Sequence, residues 1–88
     1  MLLSSLSICR LVRSIKPHYG VWVDKTSKAP ELRNCTFRYF HAKDARAVAD
    51  EMSGLIEEGG FDNTVKVTHN QRSGMYYVRI NAVILSSK

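Results

Sequence analysis

Apolar and polar residues alternate along this chain with two distinct periods. From His41 to Gly60, HAKDARAVADEMSGLIEEGG, the apolar residues are Ala45, Val48, Ala49, Met52, Leu55 and Ile56. That is the i, i+3, i+4, i+7 spacing of a helix with one buried stripe. Lys43, Arg46, Asp50 and Glu57 fall on the opposite side. Asp44 sits in the first turn, where a carboxylate meets the positive end of the helix dipole. Gly59 and Gly60 end the helix, because glycine takes the left-handed C-cap conformation at little cost. Ala42 is a poor N-cap, so the pattern marks the end of this helix more sharply than its start.

Elsewhere the period is two, as in strands. In His18 to Asp24, Tyr19, Val21 and Val23 alternate with Gly20, Trp22 and Asp24. Residues 25–34 are polar, contain Pro30 and read as a loop. In Cys35 to Phe40, Cys35, Phe37 and Tyr39 alternate with Thr36, Arg38 and Phe40. After a turn at Phe61, Asp62 and Asn63, a third strand over Thr64 to Thr68 points Val65 and Val67 inward. Residues 69–74, HNQRSG, make a hairpin loop with its glycine last. The longest strand runs from Met75 to Leu85, with Tyr76, Val78, Ile80 and Ala82 on one side and Met75, Tyr77, Arg79 and Asn81 on the other.

The order ββαββ predicts a two-layer α+β fold: a four-stranded, mostly antiparallel sheet with the central helix on one face. Tyr19, Val21, Val23, Cys35, Phe37, Tyr39, Val65, Val67, Tyr76, Val78 and Ile80 are the expected helix-facing set. Burying them against the helix is the main stabilising contribution, at roughly 25 cal/mol per Å².

Residues 1–16 are set apart from this unit, 17–88. Ile8, Leu11, Val12 and Ile15 share one helical face, with Arg10, Arg13 and Lys16 opposite, and Pro17 stops the helix. Arg10 and Arg13 break the apolar run, so it cannot cross a membrane. Three readings are open. The preferred one is a short amphipathic helix packed on the domain. The second is a mitochondrial presequence, since the segment is basic, serine-rich and free of acids. The third rests it on an anionic membrane surface, where about three turns and three charges give weak binding.

The second sheet face carries Trp22, Arg38, Phe40, Lys66, Tyr77 and Arg79. Aromatics among cations can stack unpaired bases while the cations hold phosphates. Large aromatics also anchor protein interfaces. A reading that needs no ligand lays Ile8, Leu11, Val12 and Ile15 across this face and makes it a second core. At the level of sequence that covered arrangement is the expectation.

Charge sharpens the picture. The chain of 88 residues carries a net +5, unevenly placed. Residues 42–62 hold six of the eight acids against two bases, and no acid follows Asp62. An acidic helix set against a basic remainder suggests a surface that meets anions.

The expected chemistry is binding, without catalysis, cofactor or metal. His18, His41 and His69 lack metal-ligand spacing, and Cys35 with His41 supplies only two ligands. Cys9 and Cys35 form no CxxC pair, so a reducing, intracellular compartment is the default. Asn34-Cys35-Thr36 matches a glycosylation triplet without a secretory signal before it. Gly59-Gly60 follows a helix and cannot cradle phosphate as a P-loop does. In the hairpin loop, Arg72 is a candidate contact for a partner.

From Phe37 to Ile80 the chain resembles the first part of a SPOR-type peptidoglycan-binding domain. FRYFHAKDARAVADEM is similar to that family's strand and alanine-rich helix, and GMYYVRI to its later strand. The resemblance covers about half of the chain. The family's second helix is absent and an extra strand stands before the first, so no binding residues carry over.

The sequence thus predicts a small, basic, non-enzymatic protein-binding module, a regulatory, inhibitory or accessory subunit of viral or organellar type. Its partner is another protein or a second copy of itself, met through the second sheet face or an edge strand. The alternative is a single-stranded nucleic-acid binder using the same face.

Overall fold

A computed structural model describes residues 1–25 and 31–83. Helix α1 spans Ser5–Ile15 and strand β1 Val21–Lys25. Strand β2 (Leu32–Tyr39) leads into helix α2 (Ala42–Gly59), and β3 (Val65–His69) and β4 (Tyr76–Val83) complete the sheet. The strand order is β1-β2-β4-β3, and every pairing is antiparallel. β2 and β3 therefore run parallel on either side of β4, with α2 as the crossover between them.

The α+β sandwich matches the alternation in the sequence. Cys35, Phe37 and Tyr39 of β2 and Val78, Ile80 and Ala82 of β4 are buried with Ala45, Val48, Ala49, Met52 and Ile56 of α2. Gly60 closes α2 with φ 71°, and its N–H donates to the Glu57 and Ile56 carbonyls. His41 is the N-cap and caps with no side-chain bond, in keeping with the indistinct start of the pattern. Leu55 lies off the stripe and is exposed.

Helix α1 lies in the same layer as α2. Ile8 and Val12 are fully buried within the same cluster, and Cys9, Leu11 and Ile15 pack against it. The arrangement that drapes this helix over the opposite sheet face is therefore corrected: its apolar stripe completes the core on the α2 side. Burying two such side chains contributes about 1.5–3 kcal/mol each. The Ser4 side chain caps α1 by accepting from the Ser7 N–H, and Lys16, followed by Pro17, ends it.

Asn63 fixes the segment before α1. Its Oδ1 accepts from the Leu3 N–H at 2.8 Å, and its Nδ2 donates to the Asn81 carbonyl. The Leu3 carbonyl in turn accepts from the Val83 N–H. These bonds let a polar side chain stand at 7% exposure at the junction of three segments. At the other end, the Tyr39 hydroxyl donates to the Lys16 carbonyl at 2.8 Å. Lys16 also meets Asp44 of α2 at 3.8 Å.

The edge strands depart from expectation. Val21 pairs with Phe37, Val23 with Cys35 and Val67 with Val78, so all three belong to the helix-side face. Yet they are 40%, 47% and 38% exposed. The buried cluster rests on the two central strands, and the edge valines lie at its rim. Tyr19 falls outside β1 and is exposed, while Met75, expected on the open face, is buried.

Candidate docking face

With both helices on one side, the other side of the sheet has no covering element among the described residues. Cross-strand register sets its side chains in rows. One row reads Trp22, Thr36, Arg79, Lys66 across all four strands. The next holds Arg38, Tyr77 and Thr68. Five of the six residues expected at a binding surface thus share two adjacent rows.

Arg38 is tied down on this surface by two contacts. Its guanidinium carbon is 5.7 Å from the Trp22 ring centroid, and Nη2 donates to the Tyr19 carbonyl at 3.1 Å. The Arg38 N–H donates to the Gly20 carbonyl, so these two residues face one another across the strands. Glycine leaves room there: a Cβ at position 20 would already touch the guanidinium at 3.5 Å. The Trp22 and Tyr77 rings stand 5.9 Å apart, tilted by 52°. Such a tilted pair gains beyond its burial, and a cation over the indole adds to it.

Trp22, Asp24, Thr36, Tyr77 and Arg79 line an open depression of ≈ 290 Å³. Sequence reasoning left Thr36 and Asp24 out of the site. Both have the right parity, but their place beside Trp22 follows from register, which a single strand does not reveal. Gly20 was likewise missed as the seat of Arg38.

Phe40 and Arg72 stand elsewhere. Phe40 lies one residue past β2 and makes an edge-to-face pair with Tyr19, centroids 4.2 Å apart. That forms a separate exposed aromatic cluster at the end of the sheet. Arg72 sits in the β3–β4 turn, where its N–H and that of Ser73 donate to Asn70 Oδ1. Gly74, at φ 73°, completes this turn in the left-handed conformation.

The electrostatics of the face are lopsided. Among the described residues of this face, Arg38, Lys66 and Arg79 stand with one acid, Asp24. Lys66 and Arg79 are directly opposed across β3 and β4. Among the described residues neither has a carboxylate partner.

The remaining titratable groups are tied to packing. Burial, with the neighbouring Cys9 thiol, pushes the Cys35 thiol up to about 12, and burial also raises Cys9. Both are protonated thiols at neutral pH, a weakly nucleophilic state. Burial, reinforced by Asp44, raises Tyr39 to about 12. Burial and then nearby Arg13 lower His18, which tilts on Phe37 at 5.2 Å. Among the described residues no three His, Cys, Asp or Glu side chains gather as a metal site. None of the described helices is long and apolar enough to cross a membrane.

No family model, curated protein or solved structure matches this chain.

Proposed function

We propose that this protein is a non-enzymatic binding module that docks another protein, or a second copy of itself, through the sheet face opposite its helices. The supporting observation is the Trp22–Arg38–Tyr77–Arg79 cluster, which spans β1, β2 and β4 and is covered by no element among the described residues. Trp, Tyr and Arg are the side chains that most often carry interface energy. Trp22 is 43% exposed, so an occupant gains its apolar surface on docking. The role that fits is a regulatory, inhibitory or accessory subunit. Two protonated free thiols suit a reducing compartment.

A single-stranded nucleic acid is the second reading, favoured by the three cations on the face. Ring geometry weighs against it. One side of the Trp22 ring is taken by Arg38, and the 52° tilt to Tyr77 leaves no parallel slot for a base. Asp24 in the depression also repels phosphate.

Two measurements decide between these readings. Labelled single-stranded oligonucleotides are titrated at low salt; saturable binding that falls steeply with added salt assigns the face to nucleic acid. Sedimentation of the wild type and of Trp22→Ala tests self-docking. A concentration-dependent dimer that Trp22→Ala abolishes, with no oligonucleotide binding, identifies the second copy.

A further inference from the structure

We infer, building on the protein-docking reading above, that the partner offers an extended acidic segment, with one large apolar side chain in the depression beside Trp22 and Tyr77 and carboxylates at Arg79 and Lys66. The directly opposed pair Lys66 and Arg79 is the first ground. Like charges facing one another across a ladder are destabilising. No carboxylate among the described residues relieves this pair, and a docked one would.

The placement of the chain's own acids is the second ground. Six of the eight lie in residues 42–62, and five of those six belong to α2. That helix packs on the far side of the sheet. Among the described residues the open face therefore meets a partner with three cations and Asp24 alone in opposition. Asp24 sits on β1 beside Trp22, two strands from Arg79. It repels a carboxylate at the β1 end and so sets the direction of the segment: apolar residue over β1 and β2, acids over β4 and β3.

Spacing gives the pattern. Neighbouring strands are roughly 4.8 Å apart, so Trp22 and Arg79, two strands apart in one row, stand roughly 10 Å apart. An extended chain advances roughly 3.3 Å per residue. Alternate side chains of an extended chain share a face, so the first carboxylate follows the apolar residue by about two or four positions, and a second, about two positions on, reaches Lys66.

The test is a random peptide library displayed on phage, selected on the immobilised full chain. Binders are counter-screened on Trp22→Ala, shown to be folded by circular dichroism. The expected result is a set of Trp22-dependent peptides with an aromatic or large aliphatic residue followed about two or four positions later by Asp or Glu. A synthetic peptide of that pattern should bind at least tenfold more weakly to Arg79→Ala, and more weakly in high salt. Trp22-dependent peptides without the acids would overturn the acidic-segment inference and leave the docking face standing. The absence of any Trp22-dependent peptide would overturn the acidic-segment inference; if sedimentation also shows no Trp22-dependent dimer, the docking reading falls with it. Saturable binding of an oligothymidine probe in parallel would then give the face to nucleic acid.

Discussion

The guanidinium of Arg38 lies over the ring of Trp22, with its carbon 5.7 Å from the ring centroid, on a sheet face that neither helix covers. Gly20 lies beside this contact, where an added Cβ would stand 3.5 Å from the guanidinium. Gly20→Ala should be accommodated, because the added Cβ makes only ordinary contact at 3.5 Å. Gly20→Val or a larger residue should push Arg38 off the indole. Fluorescence of the single tryptophan reads this directly. The expected outcome is altered Trp22 emission in the valine variant, with stability changed by about 1 kcal/mol or less. Unchanged emission would mean that Arg38 does not rest there.

Trp22→Ala separates an exposed platform from a core. At 43% exposure the indole contributes only part of its area to folding. The expected loss is about 1 kcal/mol by urea unfolding, against about 3–5 kcal/mol for truncating a fully buried tryptophan. A loss in the larger range would place Trp22 in the interior.

Helix α1 should be indispensable. Ile8→Ala and Val12→Ala each remove a fully buried side chain where both helices meet the sheet. About 2–5 kcal/mol is expected for Ile8→Ala and somewhat less for Val12→Ala. Removing residues 1–16 takes both side chains and the Lys16 carbonyl that accepts from Tyr39. That truncation should lose the cooperative unfolding transition altogether.

Alkaline pH should unfold the protein through Cys35 and Tyr39. Both are raised to about 12 in the fold, from ordinary values of 9.0 and 10.0. The folded state thus holds protons that the unfolded chain releases. Their contribution is complete below pH 9 and is lost as pH rises to 12, at up to ~1.4 kcal/mol per unit for each group. Tyr39→Phe should remove the part that begins at pH 10 and cost about 1 kcal/mol at neutral pH for the lost hydrogen bond. His18 acts at the acid end. Its lowered value means that the unfolded chain takes the proton more readily, so stability falls as pH drops below 6.5.

How much of this was legible depended on period and register. The stripe Ala45, Val48, Ala49, Met52 and Ile56 and the alternation of Cys35, Phe37 and Tyr39 give α2 and β2 directly, because period fixes which way a side chain points. Period says nothing of which strands lie at the centre. Val21, Val23 and Val67 read like Phe37 and Val78, yet the order β1-β2-β4-β3 puts them on the edges. Nor does an amphipathic stripe say which face of a sheet it covers. That is why α1 could be set on either side of Trp22 until the contacts of Ile8 and Val12 decided it. Asp24, Thr36 and Gly20 join the candidate site only through pairing across strands, a relation between distant segments that local pattern does not encode.

Quenching of Trp22 fluorescence tests the central claim most directly, since no other tryptophan contributes. A bare face with Arg38 over the ring and Arg79 across the same depression predicts ready quenching by acrylamide, and by iodide far more than by caesium, because the cations gather the anion. An indole protected from all three quenchers in the folded protein would mean that the face is covered and the docking account is wrong.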